Sequence, residues 1–185
     1  MATINEIELY FKARAEEIYK MSSTGTPWEF LCASAFIEYL SKLVNGQDKG
    51  GRGFKDFVED YLGAINDKYR TFIYLNGSRD LKEQMYHILR CGIVHAFSFI
   101  PDSASLKNGG RARSIVLCHK NSGNTHLSNH TSASAPDAAV FVAEDLAGDI
   151  KNLVEYIFNK AKTDTTLANN IITWWGMQPP IVGNI

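Results

Sequence analysis

Residues 78–101, SRDLKEQMYHILRCGIVHAFSFIP, form the stretch on which the reading of the fold turns. Ser78 suits an N-cap and Asp80 puts a negative charge in the first turn, so the segment opens as a helix. Pro101 cannot continue the backbone ladder and closes it. Between Gln84 and Pro101, Arg90 is the single formal charge; the other polar groups are two histidines, the hydroxyls of Tyr86 and Ser98, and the thiol of Cys91. A surface helix carries an apolar stripe opposite a charged face. This one lacks the charged face in its second half, which predicts a helix buried on most sides. At about 100° per residue, Leu81, Met85, Leu89, Gly92, Ile93 and Ala96 make one apolar face. Arg90 and His95 stand at opposite edges of the other, about 140° and about 7.5 Å apart.

Upstream, the periodicity is helical. Asn5 to Met21 places Ile7, Phe11 and Ile18 on one side, with charges on the others. Thr26-Pro27-Trp28-Glu29 reads as a capping box with proline at the first helical position. The helix it starts runs through Trp28, Leu31, Phe36 and Leu43 to Asn45-Gly46. The segment 47–53 holds three glycines with Lys49 and Arg52 but lacks the phosphate-loop pattern, so it is expected as a mobile connection. Phe54, Phe57, Val58, Tyr61, Leu62 and Ile65 mark a third helix, and Asn76-Gly77 ends the segment that follows.

Downstream, the texture changes to glycine, serine and asparagine around Ser114–Cys118, with Ala139–Val142 as its expected partner in a small hairpin. A lone hairpin is marginal and must lean on the helices. Glu144 to Lys162 resumes an amphipathic helix. The tail from 164 to 185 carries Ile171, Ile172, Trp174 and Trp175, apolar enough to pack on its own chain or on a second copy. The sequence therefore predicts a mainly α fold: one domain over residues 1–185, a bundle of four to six helices, with loop and β-hairpin inserted at 102–143.

With 185 residues there is room for one sizeable core. A formal charge of -1 gives no overall pull toward polyanions, so any phosphate site must be local. Cys32, Cys91 and Cys118 are odd in number and form no CxxC pair, and the N-terminus is acidic. Both point to a reduced, cytoplasmic protein. No apolar run approaches the ~18 residues of a membrane span.

Arg90-Cys91-Gly92-Ile93-Val94-His95 fits R-x4-H late in a nearly uncharged helix. This resembles the HEPN superfamily (higher eukaryotes and prokaryotes nucleotide-binding), helical bundles whose signature is R-x(4–6)-H. In texture the resemblance runs from about Trp28 to about Lys162; the six-residue motif is its position-specific part. The resemblance implies a metal-independent endoribonuclease that acts as a homodimer, with two motif helices facing one shared cleft. His95 would be general base or acid for attack of a ribose 2′-hydroxyl on the adjacent phosphate, and Arg90 would hold that phosphate. Imidazole titrates near working pH, and guanidinium matches phosphate oxygens. Tyr86, His87, Cys91 and Ser98 beside the motif, with Arg111 and Arg113 in the basic loop after it, are the candidate substrate contacts. Cys91 stands where active members often carry Asn, Asp or His, which favours a non-catalytic RNA-, nucleotide- or protein-binding dimer as the alternative.

Two structural readings compete. Arg90 could form a buried ion pair with an acid from another helix, such as Glu38, Glu59 or Asp60. His95 could be a core histidine satisfied by a carbonyl. His87, Cys91 and His95 share a stripe, but three turns span about 12 Å, too far for one zinc ion. No metal or cofactor is expected.

Overall fold

The computed structural model describes residues 2–24, 28–96 and 114–179, with residues 93–96 described as backbone alone. Helix α1 (Ile4–Ser22) starts at a capping box that the sequence reading overlooked: Glu6 N–H donates to Thr3 Oγ1 (3.3 Å), and Thr3 N–H donates to Glu6 Oε2 (2.7 Å). Its buried stripe is Ile7, Phe11, Ala15 and Ile18. Helix α2 (Trp28–Asn45) is the expected second helix; Thr26 and Pro27, which were to cap it, lie outside the described residues.

The glycine-rich connection is a loop only as far as residue 49. Residues from Gly50 onward form α3 (Gly50–Phe57), which runs into a π-wound segment, Val58–Leu62, and then α4 (Gly63–Ile65). Two physical demands explain the glycines. Gly50 has φ +58, in the left-handed region. At Gly51 a Cβ would come within 2.5 Å of the Tyr86 ring. Composition suggested mobility; a left-handed turn at Gly50 and the close approach of Tyr86 to Gly51 are the causes instead.

A short helix, α5 (Lys68–Thr71), leads into extended chain in which Phe72 and Tyr74 are buried while Ile73 and Leu75 are exposed. The turn that follows is tied down by a buried acid. Asp137 accepts the Leu75 N–H (2.9 Å) and the Asn76 N–H (3.1 Å), linking the turn to the sheet. Helix α6 (Leu81–Gln84) has Asp80 at its N-cap and begins two residues later than Ser78 suggested. The Ser78 hydroxyl donates to Asp80 Oδ1 (3.1 Å) and so does not cap the backbone. From Met85 to Ala96 the chain winds as a π-helix, called the motif helix below. Met85, Ile88 and Leu89 are buried, whereas Tyr86, His87, Arg90 and Cys91 are half-buried. Pro101, the expected stop, lies outside the described residues.

The two expected strands pair, but in parallel. Strand β1 (Ser114–Cys118) lies beside β3 (Ala138–Val142) in the register Ser114↔Ala138 to Cys118↔Val142. Strand β2 (Asn129–His130) pairs antiparallel on the other side of β3. Parallel neighbours cannot be joined by a tight hairpin. The intervening chain therefore wraps around and supplies the third strand. All five residues of β3 are buried, which fits a central strand written as one apolar run.

Helix α7 (Ala143–Ala161) then buries Leu146, Ile150, Leu153, Val154, Ile157 and Phe158 along one face. The apolar tail is largely a helix, α8 (Thr165–Met177), capped by Asp164, whose side chain accepts the Leu167 N–H (3.0 Å). Leu167 and Ile171 are buried in the same chain, and Trp175 meets Tyr10 edge-on at 5.2 Å. Among the described residues, no helix is long and apolar enough to cross a membrane.

Candidate functional site

The winding of the motif helix changes how Arg90 and position 95 relate. On an α-helix they would stand about 140° apart. A π-helix closes its hydrogen bonds from i to i+5, so residues five apart fall about one turn above each other on nearly the same face. The backbone of the motif helix thus brings positions 90 and 95 together. The side chain of His95, and all of Ser98, Arg111 and Arg113, lie outside the described residues.

Arg90 is held from two directions. Its Nε donates to Glu38 Oε2 (3.1 Å) and its Nη2 to Glu38 Oε1 (2.9 Å), a two-pronged bond from the motif helix to α2. Of the three acids that the sequence offered as partners, Glu38 is the one chosen. Lys42, one turn along α2, also reaches Glu38 Oε1 (3.0 Å), and it pairs with Asp48 Oδ2 (2.9 Å). The result is a chain of alternating charges, Arg90–Glu38–Lys42–Asp48. It is neither dry nor open: the Arg90 side chain is 22% exposed and that of Glu38 17%.

The flank of the guanidinium is aromatic and thiol. Its Cζ lies 5.6 Å from the Tyr86 ring centre, which Lys55 approaches to 5.9 Å and Phe54 to 5.8 Å. Arg90 Nη1 donates to Cys91 Sγ at 3.6 Å. His87 packs edge-on against Tyr86 at 5.3 Å. The structure therefore sets Tyr86 and Cys91 against the half-buried Arg90 cation, with His87 against Tyr86.

The electrostatics follow from these contacts. Burial pushes the Glu38 carboxyl up, but hydrogen bonds from Arg90 and Lys42 outweigh it and hold it below the ordinary carboxylate range. Hydrogen bonding to Glu38 raises Arg90 further, so it is charged at any working pH. Burial first, and the Cys91 thiol second, raise the Tyr86 phenol. Because Glu38 titrates lower in the folded chain than in the unfolded one, its stabilisation is complete from neutral pH down to the ordinary glutamate range. It is then lost as pH falls through the folded value. Glu38→Gln is expected to cost about 1–2 kcal/mol at neutral pH. That difference from wild type should shrink toward zero in acid, read by urea unfolding across a pH series. A difference that does not change with pH would mean that the Glu38 charge plays no part.

The described part of the basic loop is engaged elsewhere. His119 sits with Nε2 3.0 Å from Glu29 Oε1 and Nδ1 3.1 Å from the Ser22 carbonyl. Lys120 pairs with Asp145 (3.0 Å), and its N–H donates to Glu144 Oε2 (3.0 Å). His126 is buried: Val142 N–H donates to its Nδ1 (3.0 Å), its Nε2 lies 3.1 Å from Tyr69 Oη, and Tyr69 Oη donates to Asp149 Oδ2 (3.0 Å). His119 and His126 thus bind the loop to the helices. Sequence reading missed this because their partners lie 16 to 97 residues away along the chain. Lys107, Arg111 and Arg113 lie outside the described residues.

No protein-family model, no curated protein and no solved structure matches this chain. What the fold and the site define is a mainly helical protein with a small mixed sheet, in which a half-buried guanidinium on a π-wound helix is clamped to a carboxylate of its neighbour.

Proposed function

We propose that the chain is a HEPN-like, RNA-directed protein: a metal-independent endoribonuclease of the cytoplasm, working as a homodimer, with Arg90 and His95 at the shared cleft. The observation that carries this reading is the π winding of the motif helix, which sets position 95 about one turn from Arg90. In this mechanism Arg90 holds the scissile phosphate and stabilises the charge that develops on it. The His95 imidazole takes the proton from the ribose 2′-hydroxyl or returns one to the leaving oxygen. The clamp on Glu38 fixes the plane of the guanidinium before substrate arrives. Tyr86, His87 and Cys91 border the phosphate; Ser98, Arg111 and Arg113 are further proposed contacts.

A second reading, a non-catalytic RNA-, nucleotide- or protein-binding dimer, is favoured by one observation: Glu38 already occupies two donor positions of Arg90, and Cys91 faces a third. The deciding experiment is incubation with mixed RNA substrates in EDTA. Wild type is expected to cleave, and His95→Ala to lose about 10²-fold in rate, the scale of a general acid–base contribution. Equal cleavage by both proteins refutes the assigned role of His95. Absence of wild-type cleavage across several RNAs leaves the binding reading, which then requires RNA binding that depends on Arg90.

A further inference from the structure

We propose that the segment 180–185, with the sequence PIVGNI, seats in the apolar groove between α1 and α2 of its own chain. The groove holds about 370 Å³ and is lined by Tyr10, Met21, Cys32, Phe36 and Tyr39, with the exposed Ala35 among them. Open apolar surface of this kind marks a place where chain packs on chain. Phe36 lies about 200° around α2 from Glu38, so the groove is on the opposite side of the helix from the Arg90 clamp. The inference stands apart from the ribonuclease reading.

Three observations select this occupant. The first is continuity. Helix α8 finishes against one end of the groove: Tyr39 Oη donates to the Gln178 carbonyl (2.6 Å), and Trp175 meets Tyr10 edge-on at 5.2 Å. The chain therefore leaves Pro179 beside two of the residues that line the groove. The second is length. Phe11, early in α1, meets Tyr39, late in α2, at 5.7 Å, so the helices run antiparallel and Met21 and Cys32 mark the far end. From Tyr10 to Met21 helix α1 rises about 16 Å. Six residues of extended chain reach about 20 Å. Pro179-Pro180 favour that extension, because a proline disfavours helical geometry in the residue before it. The third is chemistry. Residues 179–185 carry no charged side chain, and Ile181, Val182 and Ile185 are apolar. The charged residues of the groove, Arg14 and Glu17, pair with each other at 2.8 Å and call for no ionic partner.

The test uses the full chain with labelled isoleucine and valine methyl groups, read by NMR. In wild type the Ile181 and Val182 methyl signals are expected to move upfield under the ring currents of Tyr10, Phe36 and Tyr39, with nuclear Overhauser contacts to the Phe36 ring. In a mixture of labelled and unlabelled chains those contacts should stay within one chain. Ala35→Glu puts a charge into the groove at an exposed helix position. It should return both signals to random-coil positions while the methyl groups of Val154, buried in the core, keep theirs. Ile181→Asp combined with Val182→Asp should uncover the groove and raise the fluorescence of anilinonaphthalene sulfonate, and adding Ala35→Glu should cancel the rise. Random-coil positions in wild type, or upfield signals that persist in Ala35→Glu, overturn the proposal. So do contacts that run only between chains, which would make the groove an interface between copies. Equal dye fluorescence in wild type and the double variant overturns it too, since the groove would then stand open to a different partner.

Discussion

Arg90→Ala is expected to lower the rate of RNA cleavage in EDTA by on the order of 10²–10³-fold, the size of effect seen when one donor to a developing oxyanion is removed. Stability should fall far less. Removing the guanidinium breaks the two-pronged bond to Glu38, but Lys42 still reaches the same carboxylate at 3.0 Å. The cost should be about 1–2 kcal/mol, which lowers Tm by about 2–8 °C for a chain of this size. Arg90→Lys should not restore cleavage. An ammonium keeps the charge but cannot hold both Glu38 oxygens and a phosphate in one plane. Phe158→Leu supplies the control, since it loses comparable stability in the core without touching the site. If it loses cleavage to the same extent as Arg90→Ala, the guanidinium is structural and the proposed mechanism fails. If Arg90→Ala retains wild-type cleavage, it fails as well.

How much of this was legible in the sequence depends on the range of the cause. Helices α1, α2 and α7 were readable because their apolar periods are local. The winding of the motif helix was not. Arg90 and His95 look far apart at about 100° per residue, and no pattern of residue types announces a π-helix. Strand direction was equally hidden: Ile115-Val116-Leu117 and Val140-Phe141-Val142 are apolar runs that read the same whether the strands are parallel or antiparallel. The glycines at 50, 51 and 53 carried a true signal with two possible meanings, looseness or close approach. At Gly51 the decision falls to Tyr86, 35 residues further on. Sequence named Glu38, Glu59 and Asp60 as possible partners for Arg90. Choosing among them needed the crossing of α2 with the motif helix, which no local rule supplies.

The core beneath that crossing can be tested directly. Phe158→Ala should destabilise the chain by about 3–5 kcal/mol, the range for truncating a fully buried aromatic. Phe158 is 0% exposed on the inner face of α7, and its ring lies 5.9 Å from Phe11. The loss combines transfer of the ring to water with a cavity that neither α1 nor α7 can collapse into. Phe158→Leu, which fills most of that volume, should cost about 1–2 kcal/mol. Urea unfolding reads both as a shift of the midpoint at an unchanged m-value. The double variant with Phe11→Ala should cost less than the sum of the singles, because the two rings share one contact. Phe11 also touches Phe36 and Tyr39 of α2 and Trp175 of α8, so its ring joins α1 to both of those helices as well as to α7. Full additivity of the two substitutions would show that the rings do not support each other.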